Sequence, residues 1–67
     1  TILRPGGLLN EPGIGKIALE ENLERGTVPR EDVARTIVAV LAESRTYGRA
    51  WDLISGETPI EAAVQNG

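Results

Sequence analysis

The sequence predicts an α/β chain in the order strand, loop, short strand, helix, strand, helix. Three observations carry this. Ile2, Leu3 and Arg4 run as a strand into Pro5, Gly6 and Gly7, where a residue with no N–H and two glycines stop the ladder. Residues 30–44 place apolar side chains at helical spacing. Residues 49–55 alternate as a second long strand before another helix start. Two long strands joined through a helix fit a crossover unit, and a crossover implies a parallel sheet. A parallel sheet needs both faces covered, which two helices cannot do, so the unit holds half its core.

The first strand opens without methionine and in mid-strand, so the chain is expected to be a piece of something longer. At its end, Gly6 and Gly7 allow unusual φ values and leave no side chain in a ligand's way. Ligands of open α/β sheets bind where the chain leaves the carboxyl end of a strand, which makes residues 5–8 a candidate ligand-facing loop beside the plainer reading as a turn. Residues 9–15 (Leu-Asn-Glu-Pro-Gly-Ile-Gly) are too rich in turn formers for a regular helix. Lys16–Glu20 is a short strand with Ile17 and Leu19 on one face, and Glu20, Glu21 and Glu24 form a solvated rim. Residues 25–29 are a turn delivering the chain to the helix.

In that helix Val33, Ile37, Val40 and Leu41 make the apolar stripe, with Ala34 and Val38 broadening it. Pro29 stands at or next to the first helical position, and Glu31 and Asp32 complement the positive end of the dipole. Trp51 and Leu53 share one face of the second long strand, with Ala50, Asp52 and Ile54 on the other. Thr58 and Glu61 are spaced for a capping box with Pro59 at the first helical position, and Ile60, Ala63 and Val64 give the last helix a short apolar face.

With 67 residues, no cysteine, no histidine, no phenylalanine and a single tryptophan, the chain cannot add a disulfide or a zinc site to a small core. It is therefore expected to need a partner surface. A net charge of −3 with scattered basic residues argues against nucleic acid. No apolar run could span a bilayer, and the absence of cysteine fits a reducing cytoplasm.

Lack of histidine and cysteine removes the commonest general base, the thiol nucleophile and the Ser–His–Asp arrangement for Ser44, Thr46 and Ser55. The glutamates at 20, 21 and 24 are a wet face sooner than a metal site. Tyr47 is a packing anchor sooner than an acid, and Trp51 is core sooner than a stacking platform. Gly13-Ile14-Gly15-Lys16 lacks the upstream glycine and the following Ser or Thr of a phosphate loop, so that match is chance.

Three segments together carry a family resemblance: Thr1-Ile2-Leu3-Arg4-Pro5-Gly6-Gly7-Leu8, then Arg30-Glu31-Asp32-Val33-Ala34, then Trp51-Asp52-Leu53-Ile54-Ser55-Gly56-Glu57-Thr58-Pro59-Ile60. In order and spacing they resemble the C-terminal third of an atypical short-chain dehydrogenase/reductase, of the NAD(P)-binding sugar-epimerase or NmrA-like subgroup. The resemblance implies the C-terminal portion of a doubly wound Rossmann-like parallel sheet, residues 1–67 being part of one domain whose cofactor-binding N-terminal half is absent. It implies NAD or NADP bound mainly by residues outside this chain, with Pro5, Gly6, Gly7 and Leu8 lining the nicotinamide end and Arg30 on the substrate side. Pro29 stands where the family has a Ser or Thr cap. The family's G-x-G-x-x-G turn and Tyr-x-x-x-Lys pair are both missing here, so no catalytic residue is assigned and these residues alone should not be active.

The resemblance leaves a non-catalytic dinucleotide-binding sensor or regulator open on the same fold. The residues by themselves also permit a free-standing module that pairs its sheet edge with another chain.

Overall fold

The computed structural model describes residues 1–43 and 46–66. Eight elements follow in the order β1 (Ile2–Pro5), β2 (Gly7–Leu9), β3 (Lys16–Glu20), β4 (Thr27–Pro29), α1 (Arg30–Leu41), β5 (Ala50–Ser55), β6 (Thr58–Pro59) and α2 (Ile60–Asn66). The expected crossover is present: β1 and β5 are adjacent and parallel, with Leu3 opposite Trp51 and Pro5 opposite Leu53. The short strand β3 lies antiparallel on the other side of β5, and β6 adds two residues beyond it, giving the order β1-β5-β3-β6. A second, two-stranded sheet joins β2 and β4 in parallel. Its strands span three residues each, too few for any alternation to show in the sequence.

The core lies on one face of the larger sheet. Ile17 and Leu19 of β3 and Trp51 and Leu53 of β5 point there and meet Val40 of α1 and Ile60, Ala63 and Val64 of α2. Strand periodicity placed those four sheet residues correctly, and Trp51 is indeed core. The opposite face carries Arg4, Asp52 and Ile54.

Helix α1 differs from its sequence reading in two ways. It ends at Leu41, and Ser44 lies outside the described residues. Its buried side chains are Asp32, Thr36 and Val40, while Ile37, Val38 and Leu41 stay exposed at 45, 69 and 77%. Of the apolar stripe, Val33 and Val40 meet the core, while Ile37, Val38 and Leu41 face away from it. Tyr47, 76% exposed, joins that surface instead of anchoring anything. With Thr1, Leu3, Ile37, Val40 and Leu41 it lines a groove of about 310 Å³ beside β1.

The start of α2 also departs from expectation. Thr58 and Pro59 pair with Ile17 and Lys16 as β6, and α2 begins only at Ile60, so Thr58 does not stand at the cap position the capping box requires. The first amide of α2, at Ile60, donates to the Gly15 carbonyl (3.1 Å), and the Glu61 carboxylate faces Arg35 at 4.0 Å.

Beyond α1, the buried Thr46 hydroxyl lies within reach of the carbonyls of Glu43 (2.9 Å) and Val40 (3.3 Å), which also accept the backbone N–H of Thr46 and of Glu43 respectively. The Thr1 hydroxyl donates to the Thr46 carbonyl (2.6 Å), which ties the start of the chain to this turn. Thr46→Val, which keeps the shape and deletes the hydroxyl, is expected to lower stability by roughly 1–2 kcal/mol. A urea midpoint unchanged from wild type would show that Thr46 caps nothing.

Candidate functional site

The two parallel strands β1 and β5 end side by side, and the chain leaving β1 crosses directly into β2. Gly6 and Gly7 make that transfer with their amides. Gly6 N–H donates back to the Leu53 carbonyl (2.9 Å), and Gly7 N–H donates to the Gly26 carbonyl (3.0 Å). Within two residues the ladder partner changes from β5 to the strand that includes β4.

The glycines do this without positive φ, which occurs instead at Gly15 and Gly48 (75° and 78°). Close approach explains Gly6: a Cβ there would run into the Gly26 carbonyl oxygen and meet Ile54 Cγ2 at 3.0 Å. The missing side chain thus makes room for the protein's own backbone, and both glycine amides are spent inside the chain.

Leu8 differs from the two glycines. In β2, successive residues turn their backbone N–H and C=O to opposite edges. Gly7 faces β4, so Leu8 presents its donor and acceptor at the other edge of β2, where no strand pairs among the described residues. Pro5, the last residue of β1, is exposed, and the Leu8 side chain is 44% exposed. Residues 5–8 therefore combine one apolar ring, one apolar side chain and one free backbone donor–acceptor pair off the carboxyl ends of parallel strands.

Arg30 follows immediately where β4 becomes α1. Pro29, φ −61° and ψ 140°, occupies the cap position with no side-chain hydrogen bond, which leaves α1 without the cap a Ser or Thr would supply. The exposed Arg30 side chain turns to the loop after β2, its Nε donating to Asn10 Oδ1 (2.8 Å). Since Leu9 pairs with Pro29, this contact extends the small ladder by one position and holds the guanidinium at its end.

Two carboxylates that sequence reasoning did not connect to this region hold its backbone. Asp32 is fully buried; its Oδ2 accepts from Ile14 N–H and its Oδ1 from Gly15 N–H, both at 3.0 Å. The glycine-rich stretch at 13–15 does cradle an anion, but the anion is the chain's own. Asp52, on β5, accepts from Arg4 Nε (2.7 Å) and Leu23 N–H (3.0 Å). The Leu23 amide, then Arg4, hold its carboxyl below the ordinary aspartate range. A charged residue in the middle of an otherwise apolar strand was the available signal, since such a group needs a partner.

Comparison with known proteins shows the family of the chain. A family model described as NAD(P)H-binding matches residues 1–44. An uncharacterized sugar epimerase of Bacillus subtilis, YhfK, is 52% identical over 65 residues, covering 97% of this chain and 30% of the relative. A Schizosaccharomyces pombe protein is 36% identical over 64 residues, covering 96% of this chain and 26% of its own length. Among solved structures, a Bacillus halodurans protein described as an NAD-dependent epimerase/dehydratase superposes with a TM-score of 0.92 at 30% identity, over 97% of this chain and 31% of that one. The oxidoreductase ylbE of Lactococcus lactis superposes with a TM-score of 0.87 at 25% identity, over 96% of this chain and 29% of that one. This chain is thus under a third as long as each of these proteins, and it shares the Rossmann-like α/β arrangement of the two solved structures. Since the family model covers residues 1–44 of 67, the chain belongs to the NAD(P)H-binding family.

Proposed function

We propose that this chain forms the nicotinamide and substrate side of the cleft in an NAD(P)H-dependent oxidoreductase or epimerase-like protein, as the C-terminal segment of its dinucleotide-binding domain. The free backbone pair at Leu8, beyond the carboxyl ends of β1 and β5, carries this reading. A nicotinamide carboxamide has an NH₂ donor and a C=O acceptor, the complement of one residue at an open strand edge. Pro5 and the Leu8 side chain supply apolar contact beside it. Bound there, the dinucleotide would supply hydride transfer, while the protein's part is to orient it and keep competing reactions out.

Arg30 belongs to the substrate side. Held through Nε by Asn10, it keeps its terminal nitrogens for an oxygen-rich substrate. No side chain in this chain is assigned the proton-transfer role, and no glycine-rich turn for the pyrophosphate is present in its sequence.

The remainder of the same domain is the proposed partner. The relatives are about three times longer, β1 has one unpaired edge among the described residues, and the Ile37–Leu41–Tyr47 groove lies beside it. No helix among the described residues is long and apolar enough to cross a membrane.

Titration of the intact protein with NADH and NADPH tests the reading. Wild type should bind at least one of them, and Leu8→Pro, which deletes the outward N–H, should weaken binding roughly three- to tenfold with the fold intact. Equal affinity in Leu8→Pro would remove Leu8 from the site. Absence of binding by wild type would refute the reading as a whole.

A further inference from the structure

We infer that Asp52 is a positioning residue for the proposed nicotinamide wall, acting on the Gly7–Leu8 backbone through the segment 21–26. The inference rests on the functional reading above. Gly7 N–H is fixed by the Gly26 carbonyl, so the direction of β2, and with it the outward pair at Leu8, depends on where Gly26 lies. Gly26 itself rests on Ile54: a Cβ there would stand 2.9 Å from Ile54 Cδ1 and 3.0 Å from its Cγ2.

Upstream of Gly26 the segment is mostly exposed, with Leu23 half-buried. An open cleft of about 430 Å³ lies between it and the sheet, bordered by Arg4, Gly6, Leu23, Arg25, Asp52 and Ile54. Polar ties fix it, and they converge on one pair of side chains. The Asp52 carboxylate takes Leu23 N–H on Oδ2 and Arg4 Nε on Oδ1, and Arg4 Nη2 donates to the Glu21 carbonyl (3.1 Å). A charged acceptor bound by a backbone amide and a guanidinium makes stronger hydrogen bonds than neutral pairs do. Both partners rise from adjacent positions on the rigid β1–β5 ladder, Arg4 opposite Asp52, which is what a fixed reference for a loop requires. The lone Asp in β5 therefore sets the height of a loop whose far end aims the cofactor-facing strand.

Amide exchange and nucleotide binding in the intact protein decide this. In Asp52→Ala, exchange at Gly7 should accelerate about tenfold relative to Ile60, whose amide bonds Gly15 in the other half of the molecule, and the dissociation constant of whichever of NADH and NADPH the wild type binds should rise by about the same factor. Arg4→Gln keeps the Leu23 tie and should give the same pattern more weakly. It also serves as the reporter if Asp52→Ala does not fold. Unchanged Gly7 protection overturns the inference, as does faster Gly7 exchange with an unaltered dissociation constant. Equal acceleration at Gly7 and Ile60 would make Asp52 a general stability residue, which overturns it too. A wild type that binds neither NADH nor NADPH refutes the functional reading, and the Gly7-to-Ile60 ratio then still judges the clamp.

Discussion

Trp51→Ala is expected to destabilise the protein by roughly 3–5 kcal/mol, the range for truncating a large buried aromatic. Trp51 is 1% exposed and stands on the central strand β5, where it belongs to the cluster of Ile17, Leu53, Val40, Ile60 and Val64. The sheet behind it has strands on both sides, so the surroundings can collapse little into the space left behind. Arg49 lies over the indole at 5.0 Å, but a cation–π contact near the surface contributes about 0.5–1 kcal/mol, so burial dominates the loss. A domain of ordinary stability, about 5–15 kcal/mol, would lose much of its margin. Urea unfolding followed by circular dichroism reads the change. A loss under about 1 kcal/mol would mean that Trp51 does not fill the core as described.

Asp32→Ala should cost roughly 1–3 kcal/mol, because two backbone amides of a part-buried loop lose the acceptor that holds them. Ile14 and Gly15 donate to the two carboxylate oxygens, and the loop approaches so closely that a Cβ on Gly13 would lie 2.6 Å from Oδ1. Loss would spread, since Gly15 also offers its carbonyl to Ile60 N–H at the start of α2. Asp32 therefore joins three places: the first turn of α1, the loop before β3 and the beginning of α2. Asp32→Asn keeps one acceptor oxygen and should fall between the two. Denaturation midpoints together with the amide shifts of Ile14 and Gly15 provide the check. Unmoved shifts in Asp32→Ala would show that the carboxylate does not hold the loop.

Elements long enough to display a period were readable in the sequence. Lys16–Glu20 showed alternation, residues 30–41 showed helical spacing, and Ala50–Ser55 showed apolar groups on both faces. The candidate loop at 5–8 was readable for a chemical reason, since proline and two glycines interrupt a strand whatever surrounds them. Its detail was not. The glycines were expected to supply unusual dihedrals and open space, whereas they supply close backbone packing against Gly26 and Ile54. β2, β4 and β6 are two- or three-residue segments that become strands only because a partner lies alongside. The capping box at Thr58 failed because α2 begins at Ile60, one residue later than the box requires, which puts Pro59 at the cap position and leaves Thr58 in the pairing with β3.

The sequence by itself determined which segments form helix and long strand, which of their faces are apolar, and where the chain must break. These follow from propensity, period and backbone chemistry within a few residues. Tertiary structure alone decided that Asp32 holds a loop 17 residues before it and that Asp52 holds one 29 residues before it. It also decided that Ile37 and Leu41 point outward and that Leu8 keeps a free backbone pair. Each depends on which distant backbone comes within hydrogen-bond or van der Waals reach, and no local pattern encodes that distance.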